Sequence, residues 1–229
     1  MNPELRGVWE NIRELGLGAM QHALRLCLYS DPENPSWPAL AVLSAAHAAE
    51  LLIKARIAQE HPLLIFETMP KSAGAGLLDF ARIAEDGRTF QFNDLPGRLW
   101  ATTGTRIPNE KDYRSFGRLR NIVQHFARPD EDLSLRASTF IIKVVDPFIG
   151  DHWGLFAIDY NEEYGDHFEH IFEILVAQNL RPRISPTALE SWRDHVIPET
   201  APSGYRRWFQ RAVATADRTS GRNANKRRG

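Results

Sequence analysis

The stretch Trp37–Glu60, WPALAVLSAAHAAELLIKARIAQE, decides the fold class. Leu40, Val42, Leu43, Leu51, Leu52 and Ile53, set among many alanines, leave almost no polar side. A helix that is apolar nearly all round belongs in the middle of a protein, with other elements packed around it. Ser36 stands where a capping residue would start it. The stretch therefore predicts a central buried helix within an all-α, up-and-down helical arrangement.

Working outward, Asp31-Pro32-Glu33-Asn34-Pro35 stops whatever precedes this helix, because proline removes a donor and restricts the residue before it. A first helix is predicted from about Pro3 to Tyr29, with Asn2 as cap and Pro3 at the first helical position. Downstream, His61–Phe66 follows at once, and Lys71–Gly76 reads as a flexible loop. Thr89–Asp94 reads as a short extended piece and Leu95–Thr102 as a short helix. Asn109 looks like the cap of a third long helix running to about Phe126, ahead of Pro129. A fourth is predicted over roughly Asp132–Phe148.

Beyond Gly150 the pattern changes to an apolar Trp153–Tyr160, a helix from about Glu162 to Asn179, a proline-broken Arg181–Pro186, a short helix around Leu189–Val196, and another beginning near Ser203. The reading is one helical domain over residues 1–150, a helical extension over 151–215 and a basic, disordered tail over 216–229.

Composition is that of an ordinary globular chain: 229 residues, 43% hydrophobic and 25% charged. The net charge of -1 does not favour wholesale nucleic-acid binding. Its distribution is uneven, since Arg218, Arg222, Lys226, Arg227 and Arg228 are all positive. With Cys27 as the only cysteine, no intramolecular disulfide can form, and a reducing compartment is expected. The N-terminus lacks a signal-peptide layout, and no uninterrupted apolar run reaches the ~18 residues of a membrane span, so the cytoplasm is the expected location and no membrane partner is expected.

The candidate chemistry lies in Arg118-Leu119-Arg120-Asn121-Ile122-Val123-Gln124-His125-Phe126. Histidine exchanges protons near neutrality, and arginine forks onto phosphate oxygens where transition-state charge builds. This set suits metal-free phosphodiester cleavage. At ~100° per residue, Arg120 and His125 lie ~140° apart around the helix, whereas Asn121 and His125 stack. The plain alternative is a helix whose polar and basic end complements its own dipole.

Arg120-Asn121 followed by His125 resembles the Arg, four to six residues, His motif of the HEPN superfamily. His47-Ala48-Ala49-Glu50-Leu51-Leu52-Ile53-Lys54-Ala55, leading into Glu60–Phe66, is similar to the second helix of many HEPN proteins, and the order of the two stretches matches. The resemblance covers about Pro3 to Gly150. It implies a HEPN-type bundle acting as a homodimeric endoribonuclease without cofactor or metal, with one composite cleft built by two motif helices. His125 would transfer the proton, Arg120 would stabilise the scissile phosphate, and Asn121 would orient phosphate or histidine. Glu50 would reach the cleft from the second helix, or simply pair with Lys54 at i,i+4. The implied partners are RNA and a cognate antitoxin or defence-system protein, for a prokaryotic toxin or antiviral-defence effector. The implied alternative is a non-catalytic module that binds RNA or nucleotide, or scaffolds a complex. Ala127 stands where the toxin branch carries its modified tyrosine, which sets this chain apart from that branch.

Other constellations are weaker. His167 and His170, with Asp166, Glu169 and Glu173, form no zincin signature and read as a solvated face, so no metal is expected. Gly16, Gly18, Gly74 and Gly76 make no nucleotide loop, and Ser72 and Cys27 lack the partners of a nucleophile. Arg206, Arg207 and Trp208 mix cations with a ring able to stack on RNA bases, or else form an ordinary amphipathic helix.

Overall fold

Trp37–Glu60 is a single helix, α2, and it is the hub of the chain. In the computed structural model, the residues described are 5–29, 31–68, 83, 85–126, 129–160, 167–193, 195, 197–202 and 204–214, with the side chains of 167–170 outside the description. The fold is all-α. Around α2 come α1 (Val8–Leu28), α3 (Leu95–Thr103), α4 (Glu110–His125), α5 (Leu133–Phe140), α6 (Asp146–Trp153), α7 (His167–Ala177), α8 (Pro186–Trp192) and a helix over 204–214. Two short strands, Phe66–Thr68 and Arg88–Thr89, pair antiparallel with an irregular register between Phe66 and Thr68.

Ala41, Val42, Ala45, Ala48, Leu52 and Ile57 on α2 are all fully buried. The alanines let neighbouring helices approach closely, and at Gly16 of α1 a Cβ would stand 3.0 Å from the Leu52 side chain. By length and composition α2 would also suit a membrane span, with a mean hydropathy of 1.3, but here other elements pack around it. Burial of α2 thus organises the bundle, and the same cluster of packed apolar residues extends through Phe172, Trp192 and Phe209 of the C-terminal helices.

Several helix ends differ from the sequence expectation. α1 starts at Val8 because Gly7 has a left-handed backbone (φ 79°); Asn2 and Pro3 lie outside the described residues. Ser36 makes no side-chain cap to α2. Asn109 also makes none: its backbone is left-handed (φ 49°), and its side-chain amide donates to the Lys143 carbonyl at 2.7 Å. That bond ties the start of α4 to a wide π turn, Ile141–Val145, which joins α5 to α6. The fourth helical stretch therefore begins at Leu133, with Asp132 accepting from the Leu135 N–H at 2.9 Å, and continues past Phe148 to Trp153. Residue 150 falls inside α6, which ends at the left-handed Gly154.

α7 ends at Ala177 rather than Asn179, where Asn179 turns left-handed and Leu180 N–H bonds back to the Leu175 carbonyl at 2.8 Å. α8 starts at Pro186, earlier than expected, since Ser185 caps it by accepting from the Ala188 N–H at 3.1 Å. The expected loop at Lys71–Gly76, the 161–166 lead into α7 and the 216–229 tail lie outside the described residues.

Polar bonds fasten the C-terminal segment to the bundle. Asp146 is fully buried, and its carboxylate accepts from the Ala157 N–H at 2.9 Å and the Arg183 N–H at 2.7 Å. The Arg183 guanidinium donates to the Leu155 carbonyl at 3.1 Å and lies over the Phe156 ring. Ser138 donates to Gln178 at 3.1 Å.

Candidate functional site

The inner side of α4 explains its position. Tyr113 stacks on Phe92 with ring centroids 4.1 Å apart and donates its hydroxyl to the Phe92 carbonyl at 2.7 Å. Phe116 stacks on Phe140 at 3.9 Å. Gly117 allows this close approach, since a Cβ there would come within 2.8 Å of the Phe92 ring. Burial pushes the Tyr113 hydroxyl well above its usual range; Glu50 adds to this, while Arg114 and Arg120 oppose it. Tyr113 is thus a neutral donor.

Arg120 follows Tyr113 by two turns of α4, so it starts from this inner side and is half-buried. Its Nη1 donates to Asn121 Oδ1 at 3.1 Å. Among the described residues no carboxylate pairs with it. His125 lies on the other side of the helix, exposed, with its ring edge-on to Phe126 at 6.2 Å. Within one chain, therefore, Arg120 and His125 do not converge. Asn121 links them: it holds the Arg120 guanidinium and sits one turn before His125. Its bond to Arg120 uses the amide oxygen, which leaves the amide N–H groups as donors.

Two apolar residues flank this end of α4 in the open. Ile122 is 43% exposed and Phe126 is 85% exposed. One turn apart on one side, they leave an uncovered apolar strip beside His125. Arg114 and Arg118 are exposed on the same outer half of the helix, Arg114 paired with Glu110 at 2.6 Å. Ala127 lies outside the described residues.

Glu50 and Lys54 are accounted for by one another. Lys54 Nζ lies 2.7 Å from Glu50 Oε1 and 3.0 Å from Thr89 Oγ1. Lys54 is nearly buried, so this pair anchors the Arg88–Thr89 strand on α2. The charge of Glu50 is felt on α4 at Tyr113.

The aromatic and basic run near the C-terminus divides. Trp208 is half-buried, packed edge-on against Tyr205 at 4.8 Å, while Arg206 and Arg207 are exposed. His195 rests edge-on against Phe172 at 5.3 Å. The backbone of His167 and His170 belongs to α7, but their side chains are outside the description; among the described residues no cluster of three or more metal-ligating side chains occurs. Cys27 is buried, and burial pushes its thiol far up, which makes it inert.

Asp146 was missed at the sequence level. Burial raises its carboxyl to about 6, against the two N–H groups and the Arg183 charge that favour the ionised form. No local signal marked it, because its partners, Ala157 and Arg183, are distant in the chain. Ser185-Pro186, by contrast, was a readable capping pair.

Set beside known protein families, curated proteins and solved structures, the chain matches none of them.

Proposed function

We propose that the chain is a metal-independent endoribonuclease of HEPN type, a prokaryotic toxin or antiviral-defence effector whose site forms between two copies. The observation that carries this reading is the end of α4. An exposed histidine stands there beside an uncovered apolar strip, with an arginine that no described carboxylate neutralises, held by the intervening asparagine. Covering Ile122 and Phe126 with the same strip of a second copy gives the strip a partner and brings two His125–Asn121–Arg120 sets to one place. In that cleft His125 takes the proton of the ribose 2′-hydroxyl or supplies one to the leaving oxygen. Arg120 stabilises the phosphate, and Asn121 orients it. Glu50 and Lys54 have no chemical step, since their bonds serve packing.

The test is RNA digestion with EDTA present, using dimer isolated by size. Fragmentation is expected, and its loss in both Arg120→Ala and His125→Ala. Intact RNA, or unchanged cleavage in the two variants, overturns the reading.

One observation favours a second reading, a non-catalytic module that binds RNA or scaffolds a complex. Arg120 leaves α4 on the inner side, where it opposes the field at Tyr113, and its one described hydrogen bond is to its own neighbour. This reading expects the wild type to leave RNA intact, with Arg120→Ala lowering stability.

A further inference from the structure

A cleft of about 580 Å³ opens between the segment after α8 and the 204–214 helix. It has no part in the α4 scheme and stands or falls independently of it. Its lining is divided. Ile197 and Phe209 are buried and Val213 half-buried, so they form an apolar floor. Arg193 and Arg206 are exposed and form the rim with half-buried His195. Among the described residues of the lining, Arg206 stands with Arg193 on one part of the rim and Glu199 is the carboxylate.

The volume lies within the range that holds drug-sized ligands, which are bound by apolar walls and a few placed polar groups. Guanidinium groups fork onto phosphate or carboxylate oxygens. Trp208, packed against Tyr205, is not free to stack on successive bases. The run around Arg206 therefore suits a compact ligand better than an extended strand.

We propose that this cleft binds a small amphipathic anion, with a flat apolar body seated over Phe209 and Ile197 and one phosphate or carboxylate held by Arg206. Arg193 and His195 also have other contacts within the protein, so Arg206 is the cation to vary.

The experiment is calorimetric titration of the full chain with 1-naphthyl phosphate, 1-naphthoate, 1-naphthol and inorganic phosphate. At least one naphthyl anion is expected to bind tenfold or more tightly than naphthol and than inorganic phosphate, and the tighter of the two identifies the charged group. Arg206→Glu is expected to weaken that anion at least tenfold while leaving naphthol unchanged. Arg207→Glu, beside it but outside the lining, is expected to change affinity less than threefold. Arg206 is exposed, so the thermal midpoint should hold. Naphthol binding as tightly as the anions, equal losses in the two arginine variants, or no binding of any probe at millimolar concentration overturns the proposal.

Discussion

The two sides of α4 are built on opposite terms. On the inner side Tyr113, Phe116 and Gly117 meet rings at van der Waals distance, and the one hydroxyl there is satisfied. On the outer side Arg118, Ile122, His125 and Phe126 face solvent, and two of them are large apolar residues left open, Ile122 in part and Phe126 almost wholly. The inner side is committed to folding. The outer side is left open to solvent, and an open surface is one that binding or chemistry can use. Arg120 and Asn121 sit at the seam between the two.

The largest effect expected is on the outer side. His125→Ala should lower RNA cleavage by about 10²–10⁴-fold, the usual worth of a proton-transfer residue, with the denaturation midpoint unchanged. A comparable loss of folding in that variant would erase the contrast between the sides. The inner-side counterpart is Phe116→Ala, expected to cost about 3–5 kcal/mol of stability in chemical denaturation, because Phe140 loses its stacked ring and a cavity opens in its place.

A group belonging to neither side supplies a reference. Asp146 has its carboxyl raised to about 6 in the folded protein from the usual 3.8. Between those values the folded state holds the extra proton, so stability falls as pH rises through that window and levels off above it. The change is on the order of 3 kcal/mol and should flatten in Asp146→Asn, read from denaturation midpoints across pH. Below that in size, Ile122→Glu should weaken self-association at least tenfold by sedimentation without unfolding the monomer. Of similar size, Tyr113→Phe should cost about 1–3 kcal/mol, because the Phe92 carbonyl loses its donor. A Tyr113→Phe effect larger than that of Phe116→Ala would mean that hydrogen bonding, and not ring packing, holds the inner side.

Much of the bundle was legible because its long helices carry their burial in composition and period. α2 is apolar all round, and α4 has a stripe; both were placed within a residue or two. The sidedness of the candidate site was legible as well, since Arg120 and His125 stand five positions apart on an α-helix whatever the surroundings. The Arg120–Asn121 bond was not, because a rotamer choice depends on what packs nearby. Nor were the bonds made by Asn109 and Asp146. Each side chain has a local role available, as a cap or a solvated acid, and each instead serves a backbone group many residues away.

The wide turn at Ile141–Val145 has a consequence for how the chain tolerates change in length. A π turn holds about one residue more than the same span of α-helix needs. Deleting one residue there would convert it to ordinary α-helix and leave Asp146 and Phe148 close to their present phase. The same deletion in the regular helix of α5 would instead rotate everything after it by ~100° and swing Asp146 and Phe148 off their partners together. The turn is thus the slack of this helical run, the one place along it where a shortening should be better tolerated than elsewhere.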